Sequence, residues 1–287
     1  MTMLILSEAE LITFLALIGA AGMNGLPEEM LAALDDAELT ALLDSGQESL
    51  IRRGLLTIAD DAATLHDALL ALAGTAAVPE ATLSLAWSAS ETAPSTAHYF
   101  SATSELLVEH AAVEGTAGGL AFTYLPDAAA LGARVKAVLA PLAALPPDEG
   151  PAIALPVETF AAFIEASVDG PAATAAALIA AGCPAEMAHQ AAVDLAAGRR
   201  WTAMSAWGLR DPEPEGAAIV LAWFAGVRGW LAATTSAEPE HMMLRAAGGP
   251  ECLDALLALT EPLWPGGRAA ATPAGVPALF SAWLKEA

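Results

Sequence analysis

Basic side chains are scarce in this sequence. Eleven Lys and Arg stand against 34 Asp and Glu, which gives a formal net charge of −23 over 287 residues. Proteins that bind nucleic acid neutralise its phosphates with Lys and Arg, and the doublets Arg52–Arg53 and Arg199–Arg200 are too short to form a basic patch. The composition therefore argues against nucleic acid as a partner, while the acidity favours solubility of an apolar chain.

Long apolar runs are also missing, although 56% of the residues are hydrophobic. The run at 217–227 is about half as long as a bilayer-spanning helix, and Arg228 ends it. The apolar start of the chain has no nearby Lys or Arg and carries Glu8 and Glu10, which is unlike a signal peptide. We therefore expect a cytoplasmic protein without membrane insertion.

Cysteine occurs only as Cys183 and Cys252. Either one disulfide or two free buried thiols fits this count, and a chain without a signal peptide favours the free thiols. The sequence alone does not decide whether the two residues are paired.

Motifs for catalysis and for metal or phosphate binding are missing as well. There is no Gly-x-Ser-x-Gly turn and no Cys-x-x-Cys pair, and the glycine-rich stretches lack the lysine of a phosphate loop. His98 and His110 could face each other near Glu109, but no further ligand supports a metal site. We therefore expect no catalytic residue, no metal and no cofactor.

The hydrophobic period changes along the first half of the chain. Helical spacing over 1–75 predicts a helical bundle, which opens with Ser7 as N-cap and Glu10 three residues later, a capping box. Alternation with aromatic and β-branched residues predicts strands over 81–125. Helical spacing returns over 126–142.

The same order recurs after a Pro/Gly/acid linker at 146–151. Segments that begin with proline and end with glycine predict helices over 156–198. Alternation of apolar and polar residues predicts strands over 200–247, and a helix follows over 249–264. Residues 265–287 fit a Gly/Pro-rich connector and a short amphipathic helix.

Matching residues indicate an internal duplication, with a first repeat at 1–145 and a second at 152–264. The landmarks are Thr82 with Thr202, Trp87 with Trp207, both 120 positions apart, and Phe100 with Phe224. Two such halves can join edge to edge with pseudo-twofold symmetry. We therefore predict an α+β fold of two pseudo-symmetric halves, each with helices, then a four-stranded antiparallel sheet, then a helix, joined into one central sheet flanked by helical bundles.

Aromatic residues near the turn at 226–229 are the candidate binding residues. Successive strand residues point to opposite faces, so two neighbouring aromatics there cannot both be buried on one side. Packing under a helix and exposure on a protein-binding surface both remain open for them. The candidate partner-binding residues are Trp223, Phe224, Arg228, Trp230 and Tyr99.

Several segments together resemble a known family. They are the opening "SEAELITFLALIGAAGMNGLPEEM", then "ESLIRRGLL" and "LHDALLALAG", the strand series, and the pseudo-symmetric second half. Over most of residues 1–265 the chain resembles the EspG family, the actinobacterial chaperones associated with type VII (ESX) secretion. The resemblance implies a cytosolic protein with a central antiparallel sheet that binds the helical tip of PE–PPE secretion substrates and keeps it soluble, without cofactor or covalent chemistry.

Three functions remain in competition. The first is a non-enzymatic chaperone or adaptor that binds a helical secretion substrate through an apolar surface and keeps it soluble for export. The alternative is an enzyme or small-ligand-binding protein with a pocket between the two halves. A transcription regulator built on the helix–turn–helix-like segment 39–56 would need a local basic face, which the surrounding acids argue against.

Overall fold

The computed structural model describes residues 3–26, 34–60, 62–88, 95–113, 119–209, 216–235 and 238–263. Its main feature is an antiparallel sheet of ten strands with helices on both faces. Within these ranges, no helix is long and apolar enough to cross a membrane. The helix predicted within 265–287 lies outside the described residues.

The first half of the fold has the following elements in chain order. They are β1 (Met3–Leu6), α1 (Glu8–Ile18), α2 (Asp36–Arg52), β2 (Leu56–Ala59), β3 (Ala62–Leu65), α3 (67–77, with a π-helical turn at Leu70–Gly74), β4 (Ala81–Ser88), β5 (Thr96–Ala102), β6 (Leu107–Ala112), β7 (Leu120–Tyr124), α4 (Ala128–Val138) and α5 (Ala140–Ala143). Strands β2 and β3 form a separate hairpin outside the main sheet.

The second half repeats this plan with helices alone between its first two strands. Its elements are β8 (Glu149–Pro156), α6 (Glu158–Val168), α7 (Pro171–Ala180), α8 (Ala185–Ala197), β9 (Arg199–Trp207), β10 (Gly216–Ala225), β11 (Arg228–Thr235), β12 (Glu238–Ala247), α9 (Gly249–Ala258) and a 3₁₀ turn (Glu261–Leu263).

The strand order of the main sheet shows how the halves are joined. It runs β1-β7-β6-β5-β4-β9-β10-β11-β12-β8, and every neighbouring pair is antiparallel. Each half contributes five adjacent strands, with its first strand at the outer edge and β4 or β9 at the junction. The predicted α+β fold of two pseudo-symmetric halves sharing one central antiparallel sheet is confirmed.

The junction between β4 and β9 has the symmetry that the sequence offset implies. Ala81 pairs with Trp207, and Trp87 pairs with Trp201. A shift of 120 positions converts the first pair into the second. The pseudo-twofold axis therefore passes through Ser84 and its partner, midway between the two pairs.

The two faces of the sheet are covered differently. On the face that we call the front, helices α4, α5 and α9 pack over the centre, in one core that spans both halves. This core includes Leu83, Leu85, Phe100, Leu131, Val135, Leu142, Trp201, Ala203, Phe224 and Leu256. On the opposite, rear face each half has its own core, under α1–α3 in the first half and under α6–α8 in the second. The rear core of the first half includes Leu4, Phe14, Leu50, Leu72, Val108 and Phe122. The rear core of the second half includes Phe163, Leu178, Leu195, Leu221, Trp223 and Trp230.

Local chemistry sets the ends of the first helices. The predicted capping box is confirmed, because the backbone N–H of Ser7 donates to Glu10 Oε2 at 2.9 Å and Glu10 N–H donates to Ser7 Oγ at 3.3 Å. Gly19 ends α1 with φ of 69°, the left-handed conformation that suits glycine. Helix α3 starts at Asp67, where His66 Nδ1 caps it by accepting from Ala68 N–H at 3.1 Å.

Each half has five strands in the sheet rather than the predicted four, because β1 lies at one outer edge of the sheet and β8 lies at the other. Strand β1 spans only four residues and directly precedes α1. Its apolar residues therefore fit the helical spacing that the sequence predicts over 1–75. Strand β8 contains Pro151 and Pro156, and its first three residues, 149–151, fall within the predicted linker. Proline is tolerated on an edge strand because no neighbour on the outer side needs its missing N–H.

A candidate protein-interaction surface

Among the described residues, no helix covers the centre of the sheet's rear face, between the helical layers of the two halves. Its floor consists of alternate residues of β4 and β9, whose neighbours in the chain point into the front core. Apart from one methionine they are small or polar: Thr82, Ser84, Ala86, Arg200, Thr202, Met204 and Ala206. Met204 is 47% exposed, unusual for a large apolar residue in the middle of a ten-stranded sheet. We call this region the central groove.

The floor of the central groove is nearly symmetric. Residues related by the shift of 120 positions are Thr82 with Thr202, Ala86 with Ala206, and Ser84 with Met204. Two of these pairs are identical. Met204 therefore makes the main difference between the two sides of the axis.

A cavity of about 570 Å³ lies at one end of the central groove. The segment 21–26 and the end of α3 form its wall, with Pro79 beside them, and Thr82, Met204, Ala206 and Leu209 complete the lining. None of the described residues that line it is charged. The cavity therefore suits an apolar group better than an ionic one.

A buried histidine holds the wall of this cavity in place. His110 is fully buried, and its Nε2 lies 2.8 Å from the carbonyl oxygen of Asn24. Its ring stacks between those of Tyr99 and Phe122, with ring centres 5.1 and 5.6 Å away. Gly25 lies against the Tyr99 ring with φ of +88°. Burial lowers the pKa of His110 to about 4, so the imidazole is neutral near pH 7.

On the rear face of the second half, two tryptophans stack on the neighbouring strands β10 and β11. Trp223 and Trp230 stack with ring centres 6.3 Å apart. Trp223 Nε1 donates to the carbonyl of Ala191 at 3.0 Å, and Trp230 Nε1 donates to Asp194 Oδ2 at 2.8 Å. In this half the aromatic pair therefore anchors α8, whereas the Tyr99–His110 pair of the first half anchors a loop.

Three of the candidate partner-binding residues are core residues. Trp223, Phe224 and Trp230 are only 1%, 1% and 4% exposed. Trp223 and Phe224 do point to opposite faces, as predicted, but helices cover both faces at this point. Of the two alternatives left open by the sequence, packing under a helix holds for these three residues, and the uncovered part of the sheet lies at its centre. Tyr99, partly exposed, lies nearer that centre.

Arg228 is tied to the second half by a buried carboxylate. Its Nε and Nη2 donate to Asp194 at 2.6 and 2.9 Å, and Gln190 Nε2 donates to the same carboxylate at 3.1 Å. Asp194 is 2% exposed, while the Arg228 side chain is 49% exposed. These bonds fix the β10–β11 turn, whose tip residue Val227 is 69% exposed, against α8.

A cation, Arg200, lies at the end of the central groove opposite the cavity. Arg200 points to the rear face and pairs in register with Ser88. Within the described chain, Arg200 makes no hydrogen bond or ion pair. The Ser88 hydroxyl is buried and also lacks a hydrogen-bond partner there. This end of the groove therefore offers a positive charge, whereas the Ser88 hydroxyl beneath it is not accessible to a partner.

Two other buried carboxylates have partners that account for their burial. Glu10 accepts from Arg53 at 2.7 Å, and Glu109 binds His98 and Arg134 at 2.8 and 2.6 Å. Burial alone would raise the pKa of each carboxyl, but the hydrogen bonds outweigh it and lower both pKa values. Arg53, considered above for DNA contact, serves this internal pair.

The remaining reactive side chains are dispersed. In the part of the chain that the structure describes, no cluster of three or more His, Cys, Asp or Glu could hold a metal. His98 and His110 point to opposite faces of the sheet. Cys183 and Cys252 are free and buried, and burial raises the pKa of Cys252 to about 12. The two thiols are thus unpaired, and that of Cys252 stays protonated near neutral pH.

The fold is similar to that of a class of bacterial secretion chaperones. The solved structure in question is the Mycobacterium tuberculosis type VII secretion system chaperone EspG5 in complex with a PE25–PPE41 dimer. It aligns with a TM-score of 0.59 over 94% of this chain and 99% of that chain, at 12% sequence identity. At this identity the likeness shows a shared fold. No protein-family model matches the sequence, and a search of curated proteins finds no match either.

Proposed function

We propose that this protein is a cytosolic, non-enzymatic chaperone that binds a helical secretion substrate and keeps it soluble for export. The fold likeness to a secretion chaperone solved with its client supports this role. A PE–PPE-type helical protein is the client class that we propose. The observation in this chain that carries the proposal is the central groove, an open strip in the middle of a sheet that is otherwise covered.

The chemistry of the central groove is suited to a protein client. Its small floor residues allow close approach of a helix, and Met204 offers a flexible apolar contact that adapts to different side chains. The cavity beside Met204 can accept an apolar side chain of the client. The acidic remainder of the protein, at −23 overall, keeps a complex with an apolar client in solution.

The test is affinity capture of the tagged full-length protein from its native cells, followed by mass spectrometry. Met204→Asp places a charge on the groove floor, and Val168→Asp places one on a residue that is 85% exposed at the end of α6. We expect a helical secretion protein to remain bound to the wild type and to Val168→Asp, and to be lost from Met204→Asp. Circular dichroism and urea unfolding check that both variants are folded.

Two results would contradict the proposal. If the client stays bound to Met204→Asp, the central groove is not its binding surface. If no protein client is found and a metabolite co-purifies instead, the chaperone role itself is refuted.

The cavity supports a second candidate, a small-ligand-binding protein. Its volume of about 570 Å³ is typical of ligand pockets, and residues of both halves line it. Native mass spectrometry of the purified protein would detect a bound compound. Ala206→Phe, which fills the cavity, should abolish that binding, whereas the symmetry-related Ala86→Phe should leave it unchanged.

A further inference from the structure

One row of residues crosses the rear face at the level of the symmetry axis. Ser84 pairs in register with Tyr99 of β5 on one side and with Met204 of β9 on the other. Met204 in turn pairs with Ile219 of β10. Residues paired in this way lie side by side on one face of the sheet. Tyr99 and Ile219, at the two ends, are 120 positions apart, so the pseudo-twofold axis relates them as well. We call these four residues the central row.

The central row is bulkier than the floor around it. Tyr99, Met204 and Ile219 have large, mainly apolar side chains that the described residues cover only in part. One step along the strands in either direction, β4 and β9 carry threonine and alanine on this face: Thr82 with Ala206, and Ala86 with Thr202. Grouped exposed apolar side chains are typical of interaction sites. The central row is therefore the part of the groove best placed to contact a client.

The ring of Tyr99 is held in place by the first half of the protein. It stacks on His110 with ring centres 5.1 Å apart, and Gly25 is so close that an added Cβ would lie 2.9 Å from Tyr99 Cε2. A side chain that is already ordered loses little conformational entropy on binding, and tyrosine is enriched among the residues that dominate protein interfaces. Tyr99 is therefore a preorganised contact at one end of the central row.

The width of the central row limits what can lie over it. Three strand spacings separate Tyr99 from Ile219, which is about 14 Å at about 4.8 Å per spacing. Beyond both ends, the helical layers of the two halves pack on the sheet. An α-helix with its side chains is about 10–12 Å across, and a second helix packed beside it needs a further 8–10 Å or so. The row therefore has room for one helix that runs along the strands, but not for two side by side.

We propose that a single helix of the client lies along β4 and β9 and contacts Tyr99, Met204 and Ile219 together. This inference rests on the proposed chaperone function and names the contact residues of its groove. The helix presents an apolar stripe to these three side chains. The neighbouring rows of the floor are about 7 Å away along the strands, a little more than one helical turn of about 5.4 Å. The turns before and after the contact therefore lie over alanine and threonine, which allow close approach.

Photo-crosslinking from both ends of the row tests how many helices it holds. p-Benzoylphenylalanine replaces Tyr99 in one variant and Ile219 in another, in the full-length protein in its native cells. A third probe at Met3, which is 48% exposed on the edge strand β1, is the control. We expect the probes at Tyr99 and Ile219 to crosslink the same client helix at residues less than about two turns apart. The probe at Met3 should not crosslink the client.

Each other outcome overturns the inference in its own way. Crosslinks to two different client helices would show that a helix pair lies over the row, while binding in the groove would stand. Crosslinks to a second copy of this protein, or to its own residues 265–287, would identify a different occupant. A client that co-purifies without a crosslink from either end lies elsewhere on the protein. Failure to find any client would refute the proposed function and the inference with it.

Truncation of the row measures how much its side chains contribute. With the client identified by the crosslinks, Met204→Ala and Ile219→Ala should each weaken its binding about tenfold. Met3→Ala removes a methionine of equal exposure, 48% against 47%, and should change binding less than about twofold. Urea unfolding checks that the variants are folded. If Met204→Ala and Ile219→Ala bind the client as well as Met3→Ala does, the central row is not the contact surface.

Discussion

Asp194→Asn tests whether the second half depends on its buried carboxylate. Asp194 accepts from four N–H groups of three side chains: Arg228, Trp230 and Gln190. An asparagine of the same shape has one acceptor oxygen, and its amide N–H groups would face other donors. At least one buried donor, foremost that of Trp230, therefore loses its acceptor.

The expected cost follows from the burial of the groups concerned. Arg228 is half exposed and can turn to water, so it contributes little to the loss. An unsatisfied buried donor costs about 1–3 kcal/mol, and the lost bonds involve a charged acceptor, so we expect Asp194→Asn to lower the free energy of unfolding by about 3 kcal/mol. For a chain of this size, that is a drop in Tm of about 6–12 °C.

Urea unfolding followed by tryptophan fluorescence measures this loss. Asp254→Asn is the matched control, because Asp254 is exposed on α9, and its effect should be below about 0.5 kcal/mol. If Asp194→Asn is as mild as Asp254→Asn, the carboxylate is not what holds the β10–β11 turn to α8, and the reasoning above is refuted.

The remaining predictions concern the cavity wall and a buried thiol. The pKa of His110 is lowered to about 4 from 6.5, so its contribution to stability is full above pH 6.5 and is lost as the pH falls toward 4. Between pH 7.5 and pH 5, urea unfolding should show a loss about 2 kcal/mol larger in the wild type than in His110→Phe, and equal losses would contradict the burial of a neutral imidazole. Gly25→Ala should lower the Tm more than Gly22→Ala, because the added Cβ would lie 2.9 Å from Tyr99 Cε2 at a positive φ, whereas Gly22 has open space around it. Cys252 should react with Ellman's reagent only after unfolding, and fast reaction of the native protein would show that its burial is transient.

The sequence predicts the architecture well where two independent signals agree. The shared Thr and Trp of the two matched segments give the offset of 120, and the same offset governs the pairing of β4 with β9. The edge strands β1 and β8 have no such support, since a four-residue strand and a strand with two prolines each lack a clear alternating pattern. Their assignment depends on long-range pairing with β7 and β12, which no local signal encodes.

The candidate surface was harder to predict than the fold. The large aromatic side chains of Trp223 and Trp230 suggest a binding surface in the sequence. Large aromatic residues usually pack in cores, however, and here helices cover both faces of the sheet around them. The informative signal was alternation within the segments "TLSLAW" and "TAMSAW". Their even-numbered residues all point to the rear face, and among them only Ser84 and Met204 differ.

The front and rear faces of the junction are under different physical constraints. On the front, Leu83 pairs with Ser205 and Leu85 pairs with Ala203, so each large side chain lies opposite a small one. This arrangement keeps the total volume under the covering helices nearly constant, as close packing of a core requires. On the open rear face no such compensation is needed, and a single large residue, Met204, stands on the symmetry axis without a packing cost. A pseudo-symmetric sheet can therefore keep a symmetric register while the residues on its uncovered face differ between the two sides of the axis.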